Sequence, residues 1–398
     1  MLAMPAQTDC FDVVVIGAGL AGTCLAGRLA RNGRSVALID THAVHPHDFR
    51  AEKYGSAQMS LFESLGFGAA ARGCTTSTDT VRVVRFGSLA YWERNTEYGA
   101  AYPDLINALR ADLPAGLLTV GRVADLDLGP ERQVVTLGDG RRFAGRLVVL
   151  ATGLGDVLRR KAGIVRRVIG ERHSLAVGFD MAAPRDTFPF QAMTYFSERF
   201  GGRDAYLTLV PLGETMRANL FGYQQPNAPW AKAFRAEPEA ALRALMPGLA
   251  AHCPDLAVAG SVEVRPIDLM RAEGHVRDGV VLVGDAFQTA CPIPGTGIGK
   301  VLTDVRQLAD AHLPGWLATP GMGADKVAAF YADPVKVACD AASLRSSLYA
   351  RALATETALP WAVRRVRNRV ARHAIRYATG ASQGAVRAAS AVAAHLAL

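Results

Sequence analysis

The chain opens with two short apolar runs on either side of a helical stripe. FDVVVIG (11–17) is a continuous run of strand length, and LAGTCLAGRLARNG (20–33) repeats its apolar residues at helical spacing before stopping at Gly33. RSVALID (34–40) is a second run that ends on an acid. The pattern predicts strand, tight turn, helix, strand. Residues 41–80 read as a loop followed by a helix ending near Gly66, and 81–99 alternate apolar and polar as a hairpin does. Helical spacing returns over 103–113, and 117–150 read as strands with Asp139-Gly140 as a hairpin turn. RLVVLATG (146–153) is one more buried strand with its turn. Residues 174–224 are again β-like, 230–247 helical, and GVVLVGDA (279–286) a buried strand running into a Gly/Pro-rich loop. A helix begins at about 297 and the remainder is helical.

The first turn reads Gly17-Ala18-Gly19-Leu20-Ala21-Gly22. A glycine at 17 permits the tight turn, one at 19 lets a pyrophosphate approach the backbone, and one at 22 lets helix and strand pack closely. The helix start offers free N–H groups and a positive dipole end to phosphates. Asp40, ending the second strand, is placed to accept a ribose 2′-hydroxyl, as in FAD or NAD. The fingerprint leaves those two open.

A second stretch separates them. Gly284-Asp285-Ala286-Phe287-Gln288-Thr289-Ala290-Cys291-Pro292-Ile293-Pro294-Gly295-Thr296-Gly297-Ile298-Gly299, then Asp304, closely resembles the GDAAHxxxPxxGxGxxxxxxxDA signature of FAD-dependent monooxygenases of the p-hydroxybenzoate hydroxylase type. The resemblance runs through about residue 335 and implies an α/β fold, with a β-rich substrate domain inserted into a Rossmann-type FAD-binding domain and a helical C-terminus. The boundaries expected are 1–80, 100–173 and 265–335 for the FAD-binding domain, 81–99 and 174–264 for the substrate domain, and 336–398 for the helical region.

By that resemblance Gly284 and Asp285 would meet the ribitol. Gly295, Thr296, Gly297 and Ile298 would offer N–H donors to the flavin edge, where negative charge develops on reduction. Pro292 would line the flavin face, Arg50 would lie near the cofactor with Gln58 a further candidate, and Val123 would fall at the adenine. Thr152 and Gly153 occupy the family's ADGxxSxxR position, where only the glycine and Arg159 match; Asp156 stands for the serine. Tyr102 replaces a frequent arginine and Gln288 the usual histidine. The family's chemistry consumes NAD(P)H and O₂ and hydroxylates a small or medium lipophilic or aromatic molecule through a flavin C4a-hydroperoxide. Among Phe188, Phe190, Tyr195, Phe196, Arg217, Asn219 and Tyr223 of the β-rich insertion, Tyr195 and Arg217 are the candidates for substrate contact.

The alternatives are a reductase of isoprenoid-type double bonds on the same fold, or a carrier- or membrane-docked flavoprotein. A halogenase is disfavoured because no WxWxIP stretch exists.

Composition adds three points. Six scattered cysteines without a CxxC pair suggest reduced thiols in a cytoplasmic setting and no metal site. Cys291, in the flavin loop, reads as a buried inert thiol or a reactive one. His42, His45 and His47 read as solvent-facing, with metal binding the alternative. No signal peptide and no transmembrane helix are expected.

The net charge of +8 is concentrated at one end: Trp361–Leu398 hold seven arginines and no Asp or Glu. Such confinement argues against nucleic acid as a partner. Residues 361–377 place Val363, Val366, Val370, Ala374 and Tyr377 on one helical stripe, with Arg364, Arg365, Arg369, Arg372 and Arg376 largely on other faces. The plainer reading docks the apolar stripe on the protein and leaves the arginines in water. The other attaches the helix to an anionic membrane or an acidic carrier protein.

Overall fold

The apolar run Cys10–Ile16 is the central strand of a seven-stranded sheet in a computed structural model that describes residues 10–198, 203–225, 228–253 and 255–379. It pairs in parallel with Val36–Asp40 on one side and Arg142–Leu150 on the other, so that Val14 lies between Ala37 and Val148. Leu118–Val120 extends the sheet beyond Val36–Asp40, and Val280–Leu282 pairs in parallel with the end of Arg142–Leu150. Gln133–Leu137 and Val123–Asp127 complete it as an antiparallel meander whose turn at Asp139-Gly140 is the one the sequence predicts.

Val13, Val14 and Val15 are all fully buried. Both faces of this strand are covered, which is why it reads as a continuous apolar run. Each such side chain contributes about 1.5–3 kcal/mol relative to exposure. On one face lies the core containing the helix Leu20–Arg31, with Leu25 and Leu29. On the other lies a core containing Val135, Leu137 and Phe287. Because the inner strands are parallel, residues 17, 40, 151 and 283 all emerge at one edge.

A second sheet of eight strands runs in the order Val258–Glu273, Val165–Met181, Thr215–Gly222, Asp204–Leu212, Ala192–Phe196, Thr76–Arg85, Ser88–Ala101, Ala51–Gly55. Alternation divides its faces. Met193, Tyr195, Leu207, Leu209, Met216 and Leu220 point to a core shared with Phe234, Leu242 and Leu249 of the helical segment behind. Tyr206, Arg217, Asn219 and Phe221 take the opposite parity and face the first sheet's loops.

Three strands differ from the sequence expectation. Ala51–Gly55 lies where a loop is expected; only Tyr54 is buried, so an edge strand shows no alternation. Val165–Met181 starts before 174, because its first half is exposed and arginine-rich. Val258–Glu273 pairs with it antiparallel through three register shifts, which break the period-two signal.

The C-terminal region comprises Ala324–Tyr331, Pro334–Thr355 and Leu359–Thr379. Asp333 caps the second of these by accepting from the N–H of Val335 and of Lys336, both at 2.9 Å. The third corrects the plainer reading of the tail. Trp361, Arg365 and Asn368 face the preceding helix, while Val363, Val366 and Val370 are turned to solvent. The side chains of Arg369, Arg372, Ala374, Arg376 and Tyr377, and everything from 380 onward, lie outside the described residues.

Candidate functional site

The first-turn glycines are demanded by packing. Gly17 has φ +100°, and a Cβ there would lie 2.5 Å from the Ala151 carbonyl oxygen. A Cβ on Gly22 would lie 1.8 Å from the Gly17 oxygen. The helix that follows Gly19 has no side-chain cap and no acid in its first turn; the Leu20 N–H is directed at the Tyr102 hydroxyl, and the amides of Ala21 and Gly22 remain available to an anion. Asp40 accepts from the Ala18 N–H at 2.7 Å and the His42 N–H at 2.9 Å. Gly121 donates to the Asp40 carbonyl at 2.8 Å, which sets Val123 two residues from the same strand end.

Arg110, which sequence reasoning missed, braces this corner. Its guanidinium donates to the Ala18 carbonyl (2.8 Å) and the His42 carbonyl (2.8 Å) and sits 3.5 Å from Asp40. An arginine on the buried face of an amphipathic helix, beside Leu105, Ile106 and Leu109, was the available signal.

Thr152 and Gly153 follow the strand Arg142–Leu150 and lie against this turn. The Thr152 hydroxyl is buried with no partner among the described residues, and Gly153 has open space where a Cβ would be. Arg166 ties this loop to the next: it donates to the Gly153 carbonyl at 2.7 Å, the Leu154 carbonyl at 3.0 Å and the Asp285 carbonyl at 3.1 Å. Asp156 is paired with Arg159 at 2.5 Å, Arg160 at 3.0 Å and Arg166 at 3.4 Å, and the Arg159 hydrogen bond leads in holding its carboxyl below the usual range. The family's serine position is thus occupied by a structural ion pair.

The Gly284–Asp285 turn abuts the first helix, with a Gly284 Cβ position 3.5 Å from the Ala21 side chain. Burial pushes the Asp285 carboxyl up, opposed by Lys300, Arg50 and Arg166. Glu52 is pushed up by burial too, with Arg50 opposing. Arg50 pairs with Asp48 at 2.9 Å and lies 3.8 Å above the Tyr102 ring, so the tyrosine that replaces the family's frequent arginine carries an arginine on its face. Gln58 caps its own helix instead, its side-chain oxygen accepting from the Gly55 N–H at 3.1 Å.

The loop 291–296 leads into the helix Gly297–Arg306. Gly295 donates to the Pro292 carbonyl at 2.9 Å. Gly295, Gly297 and Gly299 have nothing within 4 Å of a Cβ position. Thr296, the N-cap residue, bonds Ser343 at 2.8 Å rather than capping, which leaves the amides of Gly297 and Ile298 uncapped. Behind the loop lies a buried quartet. Asp304 accepts from the Gly284 N–H at 3.0 Å and from Lys336 at 2.7 Å, with Lys300 at 3.3 Å; Asp340 meets Lys336 at 3.0 Å and Lys300 at 3.2 Å.

The substrate candidates divide. Arg217 faces the loops, bonded to Asp180 at 3.1 Å and to the Phe49 carbonyl, beside Arg50; Asn219 donates to the Ala51 carbonyl at 3.4 Å. Tyr195 lies on the opposite face, fully buried, its hydroxyl 2.5 Å from Glu198. Its place two residues after Met193 on Ala192–Phe196 puts it on that residue's face. Tyr206, missed in the sequence, donates to the Ile293 carbonyl at 2.7 Å and packs its ring against Phe196 (5.7 Å) and Phe221 (5.2 Å).

Cys291 is buried against the Ser174 hydroxyl at 3.3 Å, and burial pushes its thiol up. His42, His45 and His47 diverge, toward Asp40, Tyr102 and Glu263 respectively. A 540 Å³ cavity lined by Thr78, Trp92, Arg185, Phe188 and Gln191 shares no residue with the loops above.

One edge therefore gathers two uncapped helix starts, an open glycine path, the orphaned Thr152 hydroxyl and two carboxylates. That donor set fits a long ligand with an anionic centre and hydroxylated links, as FAD is.

Residues 10–312 match the family described as FAD binding domain. The chain is 27% identical over 332 residues to the ubiquinone hydroxylase UbiL of Rhodospirillum rubrum, covering 75% of this chain and 71% of that protein. It is 25% identical over 327 residues to the 3-demethoxyubiquinol 3-hydroxylase of Escherichia coli, covering 75% and 78%. The fold is similar to that of p-nitrophenol 4-monooxygenase PnpA of Pseudomonas putida, with a TM-score of 0.73 and 16% identity over 94% of this chain and 95% of that one.

Proposed function

The chain belongs to the FAD-binding family of flavoprotein hydroxylases, and from that membership we propose that it is a monooxygenase that adds one oxygen atom from O₂ to a lipophilic aromatic substrate at the expense of NAD(P)H. The observation that carries the proposal is the aromatic face of Tyr206, Phe196 and Phe221 bonded directly to the loop that precedes Gly295–Ile298. A planar ring packed along that face would lie beside the loop assigned to the flavin. The two ubiquinone-related hydroxylases support a lipophilic ring as the substrate class.

In this reading the amides of Ala21 and Gly22, above the turn Gly17–Leu20, hold the pyrophosphate, while the Ala18 N–H stays on Asp40. Asp40 holds the ribose, Val123 borders the adenine, and Arg50, Thr152, Gly153, Gly284 and Asp285 hold the centre of FAD. When bound, FAD takes reducing equivalents from the nicotinamide donor and activates oxygen. The uncapped amides of Gly297 and Ile298 stabilise negative charge at the ring edge. Pro292 bounds the ring face without offering an N–H or a labile proton. Arg217 acts on position rather than on substrate: it fixes Phe49, and with it Arg50. The cysteines, all free, suit a cytoplasmic setting.

The test is turnover under ¹⁸O₂ with NADH and NADPH against a panel of phenols and quinols, read by mass spectrometry. The proposal requires one labelled atom in the product. A product that gains two hydrogens and no oxygen would replace it with the reductase reading.

A further inference from the structure

We propose that the helix Leu359–Thr379 seats the enzyme peripherally on an anionic lipid bilayer through the face that carries Leu359, Val363, Val366 and Val370. These four side chains are 76, 57, 59 and 62% exposed. At roughly 100° per residue they share one arc about 60° wide. Trp361, Arg365 and Asn368 occupy a second arc, roughly 160° round the helix.

The second arc is the docked one. Trp361 packs on Tyr349 at 5.8 Å, and Asn368 donates to the Tyr349 hydroxyl at 3.1 Å. Arg365 donates to the Leu353 and Glu356 carbonyls at 3.2 and 2.7 Å, ending the preceding helix. The helix is thus held by one side and presents its apolar side outward.

What covers that side is argued from charge. The stripe lies in a segment with seven arginines and no acid from Trp361 to Leu398; Arg367 borders it on one side of the helix, and Arg364 lies further round on that side, over the Trp361 ring at 4.6 Å. Aliphatic side chains bordered by arginines match the boundary between acyl chains and anionic headgroups. An acidic protein would satisfy the arginines and leave the valines without a purpose. Among the described residues no helix is long and apolar enough to cross a membrane, so the contact is peripheral.

The test is flotation of the full-length holoenzyme with vesicles of pure phosphatidylcholine and with vesicles containing about 30% phosphatidylglycerol, at low salt and at about 0.5 M KCl. Binding should require phosphatidylglycerol and be released by salt. Val366→Asp with Val370→Asp should abolish binding while FAD content and NAD(P)H oxidation stay at wild-type level. Arg364→Gln with Arg367→Gln should weaken partitioning roughly 25-fold, about fivefold per arginine. Absence of binding at low salt would overturn the proposal. So would binding that the aspartates leave unchanged, which would show that the valine face does not make the contact. So would a dimer in light scattering that the aspartates dissolve while vesicles go unbound, which would make a second copy the occupant.

Discussion

The two glycine loops at the edge proposed to hold FAD are built on opposite principles. In the first, the protein itself requires glycine, because a side chain at 22 would overlap the Gly17 oxygen and one at 17 the Ala151 oxygen. In the second, a side chain at 295, 297 or 299 would touch nothing within 4 Å. The first loop is a packing joint that also presents amides. The second is space kept clear beside uncapped amides, and behind it lies the quartet of Lys300, Asp304, Lys336 and Asp340. A glycine motif thus has two separable meanings, and substitution distinguishes them.

The largest expected effect is at the packing joint. Gly22→Val should cost more than about 4 kcal/mol and leave little soluble protein, whether or not FAD is supplied. Recovery of folded protein with FAD added would mean that the first loop, too, is shaped for the ligand. Next is the support of the second loop. Lys336→Met leaves Asp304 and Asp340 facing Lys300 alone, and breaking such a buried pair costs about 3–5 kcal/mol. Chemical denaturation should show that loss, with FAD released earlier than in the wild type because Gly284 hangs on Asp304.

The smaller effect is one of pH. His173 is buried beside Ser174, which contacts Cys291 of the second loop, and burial followed by Arg351 lowers its pKa from 6.5 to about 4. Between those values the unfolded chain binds more protons than the folded one, so its contribution is fully present above pH 6.5 and is lost as pH falls toward 4. The total is roughly 3 kcal/mol. His173→Gln should flatten the stability profile over that window, as followed by thermal unfolding at stepped pH.

The sequence made the first loop legible because its strand, turn, helix and acid are contiguous, and Gly17, Gly22 and Asp40 lie where the pattern places them. The second loop was legible through its resemblance alone, since no periodicity marks an open glycine loop. Arg110 was legible only as an arginine on the apolar face of its helix, and Arg166, Lys336 and Tyr206 were not legible. Each acts on backbone or charge far away in sequence, such as Arg166 on Asp285 and Tyr206 on Ile293. Strand parity set the fate of Tyr195 and Arg217, and which parity meets the loops is decided by what packs on each face of the sheet, which lies far away in sequence. The tail shows the same limit: its valine stripe was legible, but the side by which it docks was set by Trp361 and Asn368.

The most direct test of the difference between the loops is titration of FAD into FAD-free Gly297→Ala, followed by flavin fluorescence, with the Tm of the FAD-free protein measured alongside. The open space at 297 predicts an unchanged or higher Tm, because alanine favours the helix. It also predicts a Kd raised by about tenfold or more, equivalent to about 1.4 kcal/mol. An unchanged Kd would contradict the claim that the second loop is kept clear for the flavin.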